Sequence, residues 1–130
     1  MHLLSSPSPN NPDKTTRGKI ALIAEGGGQR GIFTAGVLDA WLEREFDPFD
    51  LFIGTSAGSQ NLTSFLSGQK GYAKRFISEL SRRKHFYQLG RGLVGGNIVD
   101  LDWYFDKTIK GVYALDFMAA TKSLGQRELL

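Results

Sequence analysis

Two short apolar runs, each cut off by a glycine motif and separated by one helix-length segment, constrain this chain more than any other feature. Ile20-Ala21-Leu22-Ile23-Ala24 runs into Glu25-Gly26-Gly27-Gly28-Gln29-Arg30-Gly31, and Leu51-Phe52-Ile53 runs into Gly54-Thr55-Ser56-Ala57-Gly58. A brief apolar run without alternation that stops at glycine reads as a strand buried in a parallel sheet. Between the runs, Ile32, Phe33, Ala35, Val37, Leu38, Trp41 and Leu42 recur at the spacing of one helix face, and Asp47-Pro48 ends the segment because proline cannot continue the hydrogen-bond ladder. Strand, glycine loop, helix, strand, turn, helix is the alternation of an α/β fold with a parallel sheet. Right-handed crossovers bring both glycine motifs side by side at the carboxyl edge of that sheet, where open α/β sheets carry their sites.

The flanking segments are less informative. Residues 1–18, rich in Ser, Pro, Asn and Thr, read as a disordered leader, and 19–130 as part of one domain. A helix is expected from Ala57 to about Leu66, stopped by Gly68, and an amphipathic one over 72–82 with Tyr72, Phe76, Ile77 and Leu80 inward. Gly90, Gly92, Gly95 and Gly96 mark a loop, and 100–109 fits a helix with Leu101, Tyr104, Phe105 and Thr108 on one side. A length of 130 residues suits one domain or a piece of one, and a hydrophobic fraction of 41% is that of a globular chain.

Charge and composition exclude several classes. The net charge of +3 is spread over alternating signs, so the high pI alone is weak evidence for a nucleic-acid partner, and none is expected. One basic cluster, Arg82-Arg83-Lys84-His85, reads as a solvated helix end or as a contact for anionic lipid head groups. The absence of cysteine excludes disulfides, thiolate catalysis and cysteine-based zinc sites. No apolar run approaches the roughly 18 residues of a membrane span, and the start is too short and uncharged for a secretory signal. A cytoplasmic protein, membrane-associated at most peripherally, is the expectation.

Gly-x-Ser-x-Gly between a strand and a helix has a mechanical basis. The serine occupies a sharp turn that lifts its hydroxyl above the sheet, and side chains two residues to either side would collide with the strand and helix. Ser56 is then a candidate nucleophile, with Gly54, Thr55, Ala57 and Gly58 as its elbow. The Ala57 N–H stands at a helix start, where unpaired donors and the positive dipole end favour a developing oxyanion. The competing reading is a plain turn with a helix-capping serine. The glycine loop also has two readings. Gly26, Gly28 and Gly31 match the spacing of a dinucleotide fingerprint, but no acid follows the second strand to hold a ribose, and the serine elbow fills that position. Alternatively the loop aims backbone N–H groups, those of Gly27 and Gly28, at an oxyanion formed as Ser56 attacks. Arg30 adds positive charge there, either as a loop anchor or as a direct stabiliser. Phe65, Tyr72, Phe76, Phe86 and Tyr87 suit a hydrophobic core better than an acyl site.

Taken together, the loop Gly26-Gly27-Gly28-Gln29-Arg30-Gly31, one helix, and Gly54-Thr55-Ser56-Ala57-Gly58 resemble the patatin-like phospholipases, well over residues 19–68 and loosely beyond. The resemblance implies a three-layer α/β/α fold with the parallel sheet sandwiched between helices. It implies hydrolysis of lipid acyl esters by a Ser-Asp dyad, with Ser56 as nucleophile, Gly26, Gly27, Gly28, Arg30 and Gly31 as oxyanion loop, and neither metal nor cofactor. The two histidines, His2 and His85, have no place in such a dyad. The family's aspartate lies in an Asp-Gly pair after the serine, and this chain has no Asp-Gly pair; Asp100, Asp102, Asp106 and Asp116 read as helix caps or solvated acids. The resemblance therefore implies the N-terminal, nucleophile-bearing portion of an incomplete domain, with turnover severely reduced on its own. The rival from another class is an inactive fragment acting as a binding module.

Overall fold

The computed structural model describes residues 18–80, 106 and 108–130. Residues 1–17 of the expected leader, the basic cluster, the glycine loop of 90–96 and most of the 100–109 segment lie outside them. Strand β1 (Ala21–Ala24) leads through a 3-10 turn (Gly28–Arg30) into helix α1 (Gly31–Glu43). Strand β2 (Leu51–Gly54) leads into α2 (Ala57–Leu66), and α3 (Tyr72–Arg75) widens into a π-helical stretch (Phe76–Leu80). Helix α4 (Phe117–Leu124) and strand β3 (Glu128–Leu129) follow.

The sheet has three parallel strands in the order β1-β2-β3. Ala24 is in register with Gly54 across β1 and β2, so both glycine motifs leave the sheet at one edge. This is the α/β parallel arrangement expected. Strand β3 was not expected: two residues carry no periodicity. Its pairing with β2 is extended by Leu130, which donates to Phe52 O at 2.9 Å and accepts from Gly54 N at 2.8 Å.

The main core lies on one face of the sheet. Phe52 and Leu62 are fully buried there with Ala24, Leu38, Phe49, Phe65, Leu66 and Ala120. Leu22, Ala24, Phe52 and Leu129 supply the sheet side, and α1, α2 and α4 supply the helical side. Side chains alternate across a strand, and the alternates Ala21 and Ile23 are exposed. Among the described residues the helical layer therefore covers one face, the partial form of the expected sandwich. A second cluster joins Ala35 of α1 to Tyr72, Ala73, Phe76 and Leu115, with Ile77 packed against it; Tyr72, Phe76 and Ile77 are thus inward as expected, and the Leu80 side chain lies outside what is described.

Helix α1 corrects one expectation. Its buried stripe is Gly31, Ala35 and Leu38, whereas Ile32 and Phe33, placed on the inner face by their spacing, are 42% and 79% exposed. The helix is apolar around most of its girth, so periodicity alone could not choose the stripe. Contacts chose it: Gly31 meets α2 where a Cβ would lie 3.1 Å from Ala57 Cβ, Ala35 packs with Tyr72, Ala73 and Phe76, and Leu38 enters the main core.

Arg127 ties the end of the last helix to β2 and the segment leading into it. Its guanidinium donates to Asp47 Oδ2 (2.7 Å), Phe49 O (3.1 Å), Ser123 O (2.8 Å) and Leu124 O (3.2 Å), and lies 5.0 Å from the centre of the Phe52 ring. A lysine keeps the charge but not the planar fork. Arg127→Lys is expected to lower stability by about 2 kcal/mol, read as an earlier urea midpoint, and to speed amide exchange at Gly54.

Candidate active site

The elbow forms where β2 turns into α2. Ser56 has φ 53° and ψ −118°, the conformation of the first central residue of a type II′ turn, which glycine ordinarily occupies. The turn is closed by Gly58 N donating to Thr55 O at 2.9 Å. Holding a serine there stores strain on the order of 1–3 kcal/mol. The capping alternative fails: Ser56 stands at the N-cap of α2, but its side chain makes no cap hydrogen bond. Its hydroxyl is exposed and bonds to none of the described residues.

The elbow glycines are required by contact. A Cβ on Gly54 would lie 2.6 Å from Ser59 Cα and 2.7 Å from Ser59 N. A Cβ on Gly58 would lie 2.7 Å from Ala24 C and from Glu25 O. The first turn of α2 thus rests directly on the carboxyl end of β1, and Thr55 N donates to Ala24 O at 3.1 Å beside it. Thr55 is exposed and Ala57 buried. The Ala57 N–H opens α2 and has no acceptor within the helix.

The glycine loop is anchored to this elbow at both ends. At Gly26 a Cβ would lie 3.1 Å from Thr55 O and 3.4 Å from Ser56 Cβ, so the loop begins against the serine. At Gly31 it would lie 3.1 Å from Ala57 Cβ and 3.3 Å from Asn61 Nδ2. Between the anchors Gly27 and Gly28 take φ 155° and 56°, and the space at Gly28 is open. The Arg30 side chain folds back over Gly27, with Nε 3.4 Å from a Cβ built there. Its guanidinium makes no hydrogen bond or ion pair with the described residues, so a loop-anchoring bond is not seen among them.

Every site residue expected from the sequence therefore lies in one compact junction: Ser56 at its centre, Gly54, Thr55, Ala57 and Gly58 around it, and Gly26, Gly27, Gly28, Arg30 and Gly31 beside it. Such an arrangement can present an exposed hydroxyl next to free backbone donors, the requirement for acyl transfer. The described aspartates are engaged elsewhere. Asp39 accepts from Gly71 N, Asp47 pairs with Arg127, Asp50 accepts from Ile20 N and Asp106 pairs with Lys110. Asp116 caps α4 by accepting from Ala119 N at 2.8 Å. Asp100, Asp102, His2 and His85 lie outside the described residues, as do Phe86 and Tyr87. Phe65, Tyr72 and Phe76 are buried in the two cores. Sequence reasoning passed over Asn61, which is 1% exposed. The available signal was an amide on the apolar side of a predicted helix.

Comparison with known proteins points to one family. A family model described as Patatin-like phospholipase matches residues 22–127. Over 91 residues the chain is 53% identical to an uncharacterised protein, YjjU, of Escherichia coli strain K12, a match covering 70% of this chain and 26% of that protein. The chain thus spans about a quarter of the length of this curated relative. No solved structure matches it.

The strain at Ser56 is measurable without reference to activity. Ser56→Gly and Ser56→Ala both remove the hydroxyl, but only glycine relaxes the backbone. Glycine also loosens the unfolded chain, by roughly 0.5–1 kcal/mol. Ser56→Gly is expected to exceed Ser56→Ala in stability by about 1 kcal/mol, seen as a later urea midpoint; an earlier one would show that the turn holds no strain.

Proposed function

The chain belongs to the patatin-like phospholipase family, and from that premise we propose that it hydrolyses carboxylic esters of lipids, with Ser56 as nucleophile and residues 26–31 as oxyanion loop. One observation carries this reading: Ser56 is held at φ 53° with its hydroxyl neither capping the helix it precedes nor bonded to any described group. Strain of that kind is kept where a side chain must be presented.

In the proposed reaction Ser56 Oγ attacks the ester carbonyl while its proton passes to an aspartate carboxylate, the second member of the dyad. The tetrahedral oxyanion is held by the Ala57 N–H and by those of Gly27 and Gly28, with Arg30 adding positive charge. Collapse returns the proton to the departing alcohol and leaves an acyl-enzyme. Water, deprotonated by the same carboxylate, then releases the fatty acid and restores the serine. The dyad aspartate is not assigned to any described residue.

The substrate is met at a lipid surface from the cytoplasmic side, by peripheral contact. Exposed Ile32 and Phe33, immediately after Gly31, support such contact. No helix among the described residues is long and apolar enough to cross a membrane. The reaction as proposed draws on no cofactor or metal and no nucleic acid.

A tagged fluorophosphonate, which reports an activated serine, is expected to label Ser56 in the protein as its source cells make it. Ser56→Ala should abolish the label and lower ester hydrolysis at least about a thousandfold. Hydrolysis that survives the substitution would remove Ser56 as nucleophile, and a folded, lipid-binding protein that is never labelled would favour an inactive binding module.

A further inference from the structure

Asn61 follows Ala57 by four residues on α2 and is 1% exposed. A buried amide is unfavourable unless bonded, and an apolar side chain could fill the same place between α1 and α2 without that penalty. Its Nδ2 donates to the Gly31 carbonyl at 2.8 Å. The other buried polar side chains of α2 bond back into their own helix: Thr63 Oγ1 donates to Ser59 O and Ser64 Oγ to Asn61 O. The Asn61 amide instead leaves the helix and grips the point where the glycine loop becomes α1. In an α-helix that carbonyl already serves the amide four residues on. A carbonyl has two lone pairs, so this bond is additional to the helix rather than needed by it.

The proposed oxyanion hole draws its donors from two segments, Ala57 on α2 and Gly27 and Gly28 in the loop. Their separation depends on the loop's two anchors. The upstream anchor, Gly26 against Thr55 and Ser56, is a contact of shape alone. The downstream anchor adds a directional bond. We propose that Asn61 is a positioning residue, whose amide clamps Gly31 and so sets the spacing between the two halves of the oxyanion hole. The proposal rests on the assignment of Ser56 and the loop to acyl transfer.

The test follows fluorophosphonate labelling of Ser56 in time, in the protein at its natural length, and separates rate constant from final extent. Asn61→Ala is expected to reach the unsubstituted extent with a rate constant about 10- to 100-fold lower, the scale of a misplaced catalytic group. In ester turnover kcat should fall by a similar factor with KM held within about twofold. A filler role would lower the thermal midpoint and the final extent but leave the rate constant of folded molecules unchanged, and that result overturns the proposal. Gly31→Ala keeps Asn61 but wedges a methyl into the 3.1 Å gap to Ala57 Cβ; it serves if Asn61→Ala does not fold, and should lower the same rate constant. An unsubstituted protein that is never labelled at Ser56 removes the hydrolase reading and this one with it, whereas normal labelling with an undiminished rate in the variants removes only the clamp.

Discussion

The contact of Gly58 with the carboxyl end of β1 is the constraint on which the site depends. Backbone touches backbone there, at a distance that admits no side chain. Once α2 is seated on Ala24 and Glu25, β2 must turn within the residues between Gly54 and Gly58. The turn that fits is the type II′ geometry found at Ser56. The glycine loop, which begins where β1 ends, then has nowhere to run except across the mouth of the elbow. A single close approach thus fixes the serine's exposure, the opening of α2 and the course of the loop.

That geometry also explains why two different glycine motifs are needed. At Gly54 and Gly58 glycine is required by crowding, and at Gly28 by a positive φ in open space. Gly26 and Gly31 belong to the crowded class and mark where the loop touches the elbow. The strain at Ser56 is sustained by its surroundings: the Thr55–Gly58 turn bond, the β1 contact and the buried Phe52 four residues upstream leave the backbone little else to do. Stability of the sheet core is therefore spent, locally, on presenting one hydroxyl.

The strands β1 and β2, the helices between and after them, and the juxtaposition of the two motifs were legible in the sequence, because each rests on a local signal: an apolar run, a glycine stop or a helical period. What was not legible depends on contacts distant in sequence. Strand β3 consists of Glu128 and Leu129 and exists only because Phe52 and Gly54 offer backbone partners. The stripe of α1 that faces inward is set by its contacts with α2, with the main core and with Tyr72, Ala73 and Phe76, not by the larger Ile32 and Phe33 that dominate the pattern. Arg127, at the far end of the chain from Asp47, has a staple's role that no spacing could suggest.

The sheet's two faces make a further physical point. In β1 the residues facing the helices, Leu22 and Ala24, pack into the core, while Ile23 is 68% exposed on the other face. An apolar run without alternation is characteristic of strands covered on both faces, and the match reaches only about a quarter of the length of the curated relative. Ser56 and the glycine loop are nevertheless brought together by β1, α1, β2 and α2 alone. The elbow and the loop come from one strand–helix–strand–helix run, whereas the described aspartates are engaged elsewhere. On the proposed reading, polarising an ester carbonyl is then a task of this run of elements alone, and the acceptor of the Ser56 proton has to reach the elbow from outside it.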